Sequence, residues 1–196
     1  MTPKVQRIGI LVIAFVMVVG TIGLYIGAIL SSKNAMNAQD EANKVAQEAF
    51  EKQQAEAKEL SEKYYPIFSE YKNRPSEFDA EAVGETVTFV DLKVGNGETL
   101  TKESASYRAY YIGWNPKGKM FDSSFSGESL SPPLDLSQMN LIPGWYEGVD
   151  GMKIGGVREI TIPSDLAYGE TGGANGDIPP NTPIKFVVMA IPPAEM

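Results

Sequence analysis

The feature that most constrains the fold of this 196-residue chain is a long apolar run near its N-terminus. The run extends from Ile8 to Leu30 and contains no charged side chain. As an α-helix it spans about 34 Å at roughly 1.5 Å per residue, which is enough to cross a hydrocarbon core of about 30 Å. A soluble helix of this length normally has a polar face. Residues 8–30 are therefore predicted to form a transmembrane helix that anchors the chain in a lipid bilayer.

Basic side chains flank this run asymmetrically. Lys4 and Arg7 precede it, whereas a single Lys33 follows it before acidic residues begin. Because positively charged flanks stay on the cytoplasmic side, residues 1–7 are predicted to be cytoplasmic and the rest extracytoplasmic. A cleavable signal peptide usually has an apolar region of only about 7 to 15 residues. A signal anchor in the cell membrane is therefore favoured, and small residues downstream leave cleavage open as the alternative.

Two sequence features bear on self-association. Gly23 and Gly27 form a GxxxG pair inside the apolar run, a spacing that lets two membrane helices approach closely. Through this pair, a second copy of the chain is one of the expected partners, in a homodimer. A coiled coil in the segment that follows is the weaker expectation, because Lys52 and Glu56 interrupt its apolar seam.

The segment 31–65 is predicted to be a long polar helix. It is rich in Ala, Glu, Gln and Lys, and acidic residues precede basic ones by four positions at Asp40–Lys44 and Glu48–Lys52. This orientation stabilises helices. Two interpretations remain open at this point, a stalk that holds a domain away from the bilayer and a solvated helix without a spacing role.

The remainder of the chain is predicted to contain a hinge and one folded domain. Residues 66–84 carry Pro66 and Pro75 and no clear period, so they are interpreted as a hinge and lead-in. Residues 85–196 alternate apolar and polar side chains in several short runs, which is typical of strands. Trp145 to Gly151 is the one short helical candidate. The pattern predicts an α+β fold.

The composition excludes several kinds of chemistry. A formal net charge of −8 at pH 7 argues against a nucleic-acid partner, since such proteins need clustered basic residues. The chain has no Cys and no His, so disulfides, thiol chemistry and the commonest general base and metal ligand are absent. The patterns of zinc, serine-hydrolase and P-loop enzymes are also absent. No cofactor and no metal is expected, and mechanisms that need no proton carrier are favoured.

A series of short aromatic and Pro/Gly motifs crosses the C-terminal half in a distinctive order. The motifs are Tyr111, Phe121-Asp122-Ser123-Ser124, Leu141-Ile142-Pro143-Gly144-Trp145, Leu166-Ala167-Tyr168-Gly169, Ile178-Pro179-Pro180 and Phe186. In order and spacing they closely resemble the FKBP family of macrolide-binding immunophilins, which are peptidyl-prolyl cis-trans isomerases. The resemblance covers about residues 85 to 192. It implies a twisted antiparallel sheet wrapped around one short helix, here preceded by the transmembrane helix and the polar helix.

The resemblance also implies a pocket for proline-containing polypeptides. Its catalytic residues would be Asp122 beside the rotating bond, Tyr168 aiming its hydroxyl at a substrate carbonyl, and Trp145 as the floor under the proline ring. The substrate-binding residues would be Tyr111, Phe121, Leu141, Ile142, Ala167, Ile178 and Phe186. Each aromatic residue taken alone is better explained by an ordinary hydrophobic core, and it is the set of motifs that favours a pocket.

The interpretation of the whole chain is a membrane-anchored, extracytoplasmic isomerase for folding secreted or surface proteins. One departure from the family pattern keeps a rival open. The basic residue that often pairs with the Asp of the Phe-Asp motif has no counterpart in Phe125-Ser126-Gly127-Glu128. The alternative is a catalytically weak binding module or holdase chaperone with the same fold.

Overall fold

The computed structural model describes residues 39–103, 107–136, 141–173 and 176–194. The chain divides into two compact units, residues 1–54 and residues 55–196. Within the described ranges, none of the helices has both the length and the apolarity needed to cross a bilayer. The predicted transmembrane helix, residues 8–30, and its Gly23 and Gly27 pair lie outside the described residues.

Helix α1 covers the described residues 39–68 and is followed by a 3₁₀ turn at Ser69–Tyr71. Residues 39–54 belong to the first unit and residues 55–68 to the second. The helix continues past Pro66, where the sequence predicted a hinge. The reason is tertiary: Phe68 is fully buried against the sheet, and its neighbours Tyr64 and Tyr65 pack beside it.

The second unit contains eight strands and a second helix among its described residues. The strands are β1 (Thr88–Lys93), β2 (Arg108–Trp114), β3 (Met120–Ser123), β4 (Phe125–Ser126), β5 (Ser129–Leu130), β6 (Leu134–Asp135), β7 (Val157–Ile162) and β8 (Ile184–Ile191), and the helix is α2 (Pro143–Val149). The main sheet has the order β1-β7-β8-β2-β3, with β6 also paired to β2. All of its pairs are antiparallel. Strands β4 and β5 form a separate hairpin.

Helix α2 lies directly on one face of this sheet because two glycines allow close approach. A Cβ atom on Gly144 would lie 2.3 Å from Ile162 Cγ2, and one on Gly148 would lie 2.4 Å from Ile160 Cγ2. Either contact is too short for real atoms. The helix begins at Pro143, whose fixed φ suits the first turn. The expected architecture, an antiparallel sheet with one short helix, is confirmed.

Arg158 fastens the C-terminal end of α2 to the sheet. Its guanidinium lies 2.6 Å from Asp91 Oδ1 on β1 and donates to the backbone carbonyls of Gly148 at 3.0 Å and Asp150 at 2.8 Å. The side chain is 3% exposed. A cation near the last carbonyls of a helix is favourable, so Arg158 fixes the helix that carries Trp145.

The two faces of the sheet support two separate hydrophobic clusters. The front cluster, under α2, includes Trp145, Ile160 and Phe186. The back cluster includes Phe68, Tyr110 and Trp114, and partly buried side chains from residues 60–67 of α1 pack against it. The sheet is therefore covered on both sides, by α2 in front and by the C-terminal part of α1 behind.

Candidate active site

Four aromatic rings converge on the front face. Phe186 lies at the centre, with ring centroids 5.5 Å from Trp145, 5.6 Å from Phe121 and 6.1 Å from Tyr111. Tyr111 also meets Trp145 at 6.1 Å with the planes at 82°. Edge-to-face contacts of this kind are the favourable arrangement for aromatic rings. The structure thus brings together four predicted pocket residues that lie on β2, β3, α2 and β8.

Gly113 makes this convergence possible, and the sequence did not single it out. It is paired with Asp122 on β3 and with Phe186 on β8. A Cβ atom here would lie 2.5 Å from Phe186 Cε1 and 2.7 Å from the Phe121 ring. Any larger residue would therefore push the two walls apart. The available signal was a glycine inside an alternating strand, which often marks a close approach.

Trp145 forms the floor of the ring cluster and is 2% exposed. Its indole nitrogen Nε1 donates a 3.0 Å hydrogen bond to the hydroxyl of Tyr107, which is also buried. Burial raises the pKa of Tyr107 to about 12, against a smaller lowering by the bond from Trp145. The phenol therefore stays protonated and fixes the indole orientation. Tyr107 is a second positioning residue that sequence reasoning missed.

Asp122 stands at the open edge of the cluster and its side chain is exposed. The hydroxyl of Tyr111 donates to Asp122 Oδ2 at 2.6 Å, a short bond of the charge-assisted kind. Burial, and next the bond and charge of Asp122, raise the pKa of Tyr111 well above its ordinary value. The carboxylate, which lacks the expected basic partner in sequence, is thus held by a neutral phenol.

Tyr168 lies on the same front cluster, half-buried. Burial raises its pKa, and the nearby negative charge of Asp122 raises it further. The hydroxyl is therefore a proton donor at neutral pH. Gly173 lies against the ring, where a Cβ would be 2.7 Å from Cδ1. The backbone at Gly173 therefore limits the movement of the Tyr168 ring on that side.

The remaining predicted contact residues surround the rings to different degrees. Leu141, Ile142 and Ala167 are partly buried and pack on the front cluster. Ile142 is the N-cap of α2, and its carbonyl accepts the N–H of Trp145 at 3.0 Å. Ile178 is 1% exposed and belongs to the cluster core. The structure brings all the predicted site residues to one region, and their roles towards substrate stay predictions.

The residues described here offer no metal site: they contain no group of three or more Asp or Glu side chains placed to hold an ion. Chemically, the arrangement is an apolar, aromatic surface with one carboxylate and one phenol hydroxyl at its edge. Such a surface can hold a proline ring, while the carboxylate can accept a hydrogen bond from a neighbouring peptide N–H and the phenol can donate one to a carbonyl.

Comparison with known proteins gives the family. The family model described as FKBP-type peptidyl-prolyl cis-trans isomerase matches residues 97–191. An FK506-binding protein of Neisseria meningitidis serogroup B is 41% identical over 99 residues, covering 50% of this chain and 87% of that protein. A probable FKBP-type peptidyl-prolyl cis-trans isomerase of Haemophilus influenzae is 32% identical over 147 residues, covering 75% and 55%.

A third relative shows that the same domain also occurs in longer proteins. FK506-binding protein 4 of Rhizopus delemar is 42% identical over 98 residues, but this chain spans only 25% of its length. These matches confirm the predicted family and enzyme class. This chain belongs to the FKBP-type peptidyl-prolyl cis-trans isomerases.

Proposed function

We propose that the chain is a membrane-anchored isomerase that accelerates X-Pro rotation in secreted or surface proteins outside the cytoplasm. The observation that carries the catalytic part is the convergence of four aromatic rings with Asp122 and Tyr168 at their open edge. Slow isomerisation of X-Pro bonds limits the folding of many chains. Proline-containing polypeptides are therefore the proposed substrates.

The proposed mechanism follows from the physics of the amide bond. Resonance imposes a rotation barrier of about 18 to 20 kcal/mol. In the twisted state the carbonyl is less polarised, so an apolar pocket accommodates that state better than the planar amide. An acceleration of about 10⁴-fold requires only about 5.5 kcal/mol at roughly 1.36 kcal/mol per tenfold. Neither a nucleophile nor a proton shuttle is needed.

Individual side chains take distinct parts in this mechanism. The Trp145 indole, held by Tyr107, carries the proline ring on a rigid floor. Tyr168 stays protonated and donates to a substrate carbonyl. Tyr111 orients the Asp122 carboxylate beside the rotating bond. Preorganised groups of this kind lose little entropy when the substrate binds.

The anchoring part of the proposal rests on the uncharged run from Ile8 to Leu30 and its basic N-terminal flank. A bilayer partner follows from its length, and Gly23 with Gly27 supplies a surface for a homodimer. Protease added to intact cells is expected to release the C-terminal domain. A fully protected C-terminus would refute the outward orientation. Disulfide crosslinking of a Gly23→Cys variant in membranes tests the homodimer, since the chain has no other Cys.

A peptidyl-prolyl assay tests the catalytic part. The full chain, purified in mild detergent, is expected to accelerate isomerisation of an Ala-Leu-Pro-Phe peptide. Trp145→Ala should lower kcat/KM by about tenfold to a hundredfold, which corresponds to roughly 1.4 to 2.7 kcal/mol. Phe121→Ala and Tyr168→Phe should each lower it by a smaller factor. Phe50→Ala is the control, since this aromatic side chain is 54% exposed on α1.

The second candidate is a binding module or holdase with weak catalysis. It is favoured by Asp122, which makes no ion pair within the described ranges and whose carboxylate is held by Tyr111 instead. If the wild-type chain binds unfolded polypeptides but shows no rate above the uncatalysed background, the holdase replaces the isomerase.

A further inference from the structure

A clasp of three side chains joins two segments that border the pocket. The side-chain amide of Asn115 donates from Nδ2 to the backbone carbonyl of Asp177 at 2.8 Å. Lys119 Nζ lies 2.6 Å from Asp177 Oδ1. Asn115 is 5% exposed, whereas the Lys119 and Asp177 side chains are 60% and 39% exposed. The clasp thus combines one part-buried hydrogen bond with one exposed ion pair.

Asn115 is held in a single orientation by the turn between β2 and β3. Its Oδ1 accepts the backbone N–H of Lys117 at 3.0 Å and of Lys119 at 3.1 Å. Both ends of the amide are therefore occupied, since the oxygen serves the turn and the nitrogen serves Asp177. A buried amide satisfied at both ends makes a rigid link.

The two joined segments lead directly into the pocket. On one side, Lys119 precedes β3, which carries Phe121. On the other side, Asp177 immediately precedes Ile178, and both Phe121 and Ile178 pack in the front cluster. Ile178 is also tied to Gly173 by two backbone hydrogen bonds of 2.9 Å and 3.1 Å. The clasp holds the residue before Ile178, and this bridge holds the backbone of Ile178 itself.

We propose that this clasp is a specificity-determining element of the pocket. Asn115 positions Ile178 relative to the Phe121 wall, and the pairing of Lys119 with Asp177 keeps this part of the rim free of net charge. The inference rests on the proposed isomerase function. It concerns the substrate residue next to the proline, because a rim charge acts on the chain that leaves the proline pocket.

The ion pair predicts that removing either of its charges changes the preference for acidic substrates in opposite directions. Removing Lys119 leaves the Asp177 carboxylate unpaired, which disfavours substrates with an acidic residue before proline. Removing the Asp177 charge leaves the Lys119 ammonium unpaired, which favours the same substrates. A purely structural role would change all substrates in the same direction.

The test compares Lys119→Met, Asp177→Asn and Asn115→Asp in the full chain at low ionic strength, where exposed charges are little screened. The probes are Ala-Xaa-Pro-Phe peptides with Xaa as Leu, Glu or Lys, scored by kcat/KM and by peptide affinity from Trp fluorescence. Lys58→Met is the control for loss of one surface lysine, because Lys58 also forms an exposed pair, with Glu62 on α1 at 3.9 Å.

The expected results differ in kind for the two parts of the clasp. Lys119→Met should lower the Glu/Leu preference about threefold and Asp177→Asn should raise it by a similar factor, while Lys58→Met leaves it unchanged. Asn115→Asp keeps the acceptor that closes the turn but loses the donor to Asp177. It should raise KM about tenfold for every peptide with little change in kcat, and it should also lower the thermal midpoint, because the carbonyl of Asp177 loses its donor.

Failure of this inference is distinguishable from failure of the proposed function. An active wild-type chain whose variants keep its substrate preference refutes the clasp and leaves the isomerase intact. A wild-type chain without activity refutes the isomerase, and the peptide affinities then decide on the clasp: opposite shifts for Lys119→Met and Asp177→Asn support it, and equal affinities refute it. An Asn115→Asp chain that unfolds is replaced by Asn115→Ser, judged by the same KM change.

Discussion

The two faces of the sheet are both rich in aromatic residues, yet only one has the features of a site. On the front face, Trp145, Phe121 and Tyr111 meet around Phe186, and polar groups of Asp122 and the half-buried Tyr168 stand at the edge. On the back face, the aromatic side chains are closed over by residues 60–68 of α1. Aromatic content therefore does not mark a pocket.

What distinguishes the faces is which side chains stay partly exposed: on the back face they include Tyr64 and Tyr65 of the covering helix, and on the front face they are rings of the site itself. The back cluster contains a stacked pair of Phe68 and Phe125 at 5.4 Å and the fully buried Tyr110. In the front cluster Tyr111, Phe121 and Tyr168 are only partly buried. A closed cluster contributes stability through apolar burial, whereas an open one retains surface for a ligand.

The largest expected effect tests whether the back face is structural. Phe68→Ala should lower the free energy of unfolding by about 3 to 5 kcal/mol, because a fully buried aromatic side chain leaves a cavity. Chemical denaturation measures the loss. Phe50→Ala on the exposed part of α1, where Phe50 is 54% exposed, is the control and should change stability by less than about 0.5 kcal/mol.

This prediction also bears on fragments of the chain. A fragment that starts at Ala80 lacks α1 and leaves the back cluster uncovered. It is expected to aggregate or unfold at lower temperature than the chain that retains residues 55–79. Equal stability of both fragments would show that α1 does not belong to the folded unit.

The front face is probed by Tyr107→Phe. The substitution removes the acceptor of the Trp145 indole and leaves a buried N–H unpaired, which costs about 1 to 3 kcal/mol. Unfolding free energy and kcat/KM should both fall, because the pocket floor loses its orientation. Unchanged kcat/KM in a destabilised variant would assign Tyr107 to stability alone.

A smaller effect concerns the ion pair between Arg74, in the segment before β1, and Glu159 on β7. Burial raises the pKa of Glu159, but hydrogen bonds from Arg74 and Lys185 outweigh it and hold that pKa below its ordinary value. A lowered folded-state pKa contributes stability above the unfolded value of about 4.3, and this stability is lost as the pH falls through the folded pKa. Thermal midpoints measured from neutral to acidic pH should fall less steeply in Glu159→Gln.

The smallest effect has the opposite sign. Tyr110 lies on the back face and is fully buried, and its hydroxyl has no hydrogen-bond partner in the described part of the structure. Tyr110→Phe is therefore expected to be neutral or to stabilise by up to about 1 kcal/mol. Tyr110→Phe and Tyr107→Phe compare the two faces directly, because each removes one buried hydroxyl, from β2 and from the residue before it. Equal losses of unfolding free energy in the two variants would contradict the difference between the faces.

Much of the site was predictable because its motifs are local. Alternating runs within residues 85–196 indicated strands, and the helical candidate from Trp145 to Gly151 overlaps α2. The resemblance then placed Trp145, Asp122 and Tyr168 in one pocket, and the structure brings them together. The boundary after residue 65 was wrong, because Pro66 signals a break locally while Phe68 is buried non-locally.

By itself, the sequence determined the family, the α+β class, the apolar run at residues 8–30 and the aromatic identity of the pocket. The family and the pocket aromatics follow from the resemblance of the motifs, whereas the α+β class and the apolar run follow from periodicity and composition, which are local properties of the chain. Only the tertiary structure decided which aromatic residues stay open, that Gly113 lets Phe121 meet Phe186, and that Asn115 reaches Asp177. Such contacts join residues distant in sequence, and their energies depend on burial and distance, which no local pattern records.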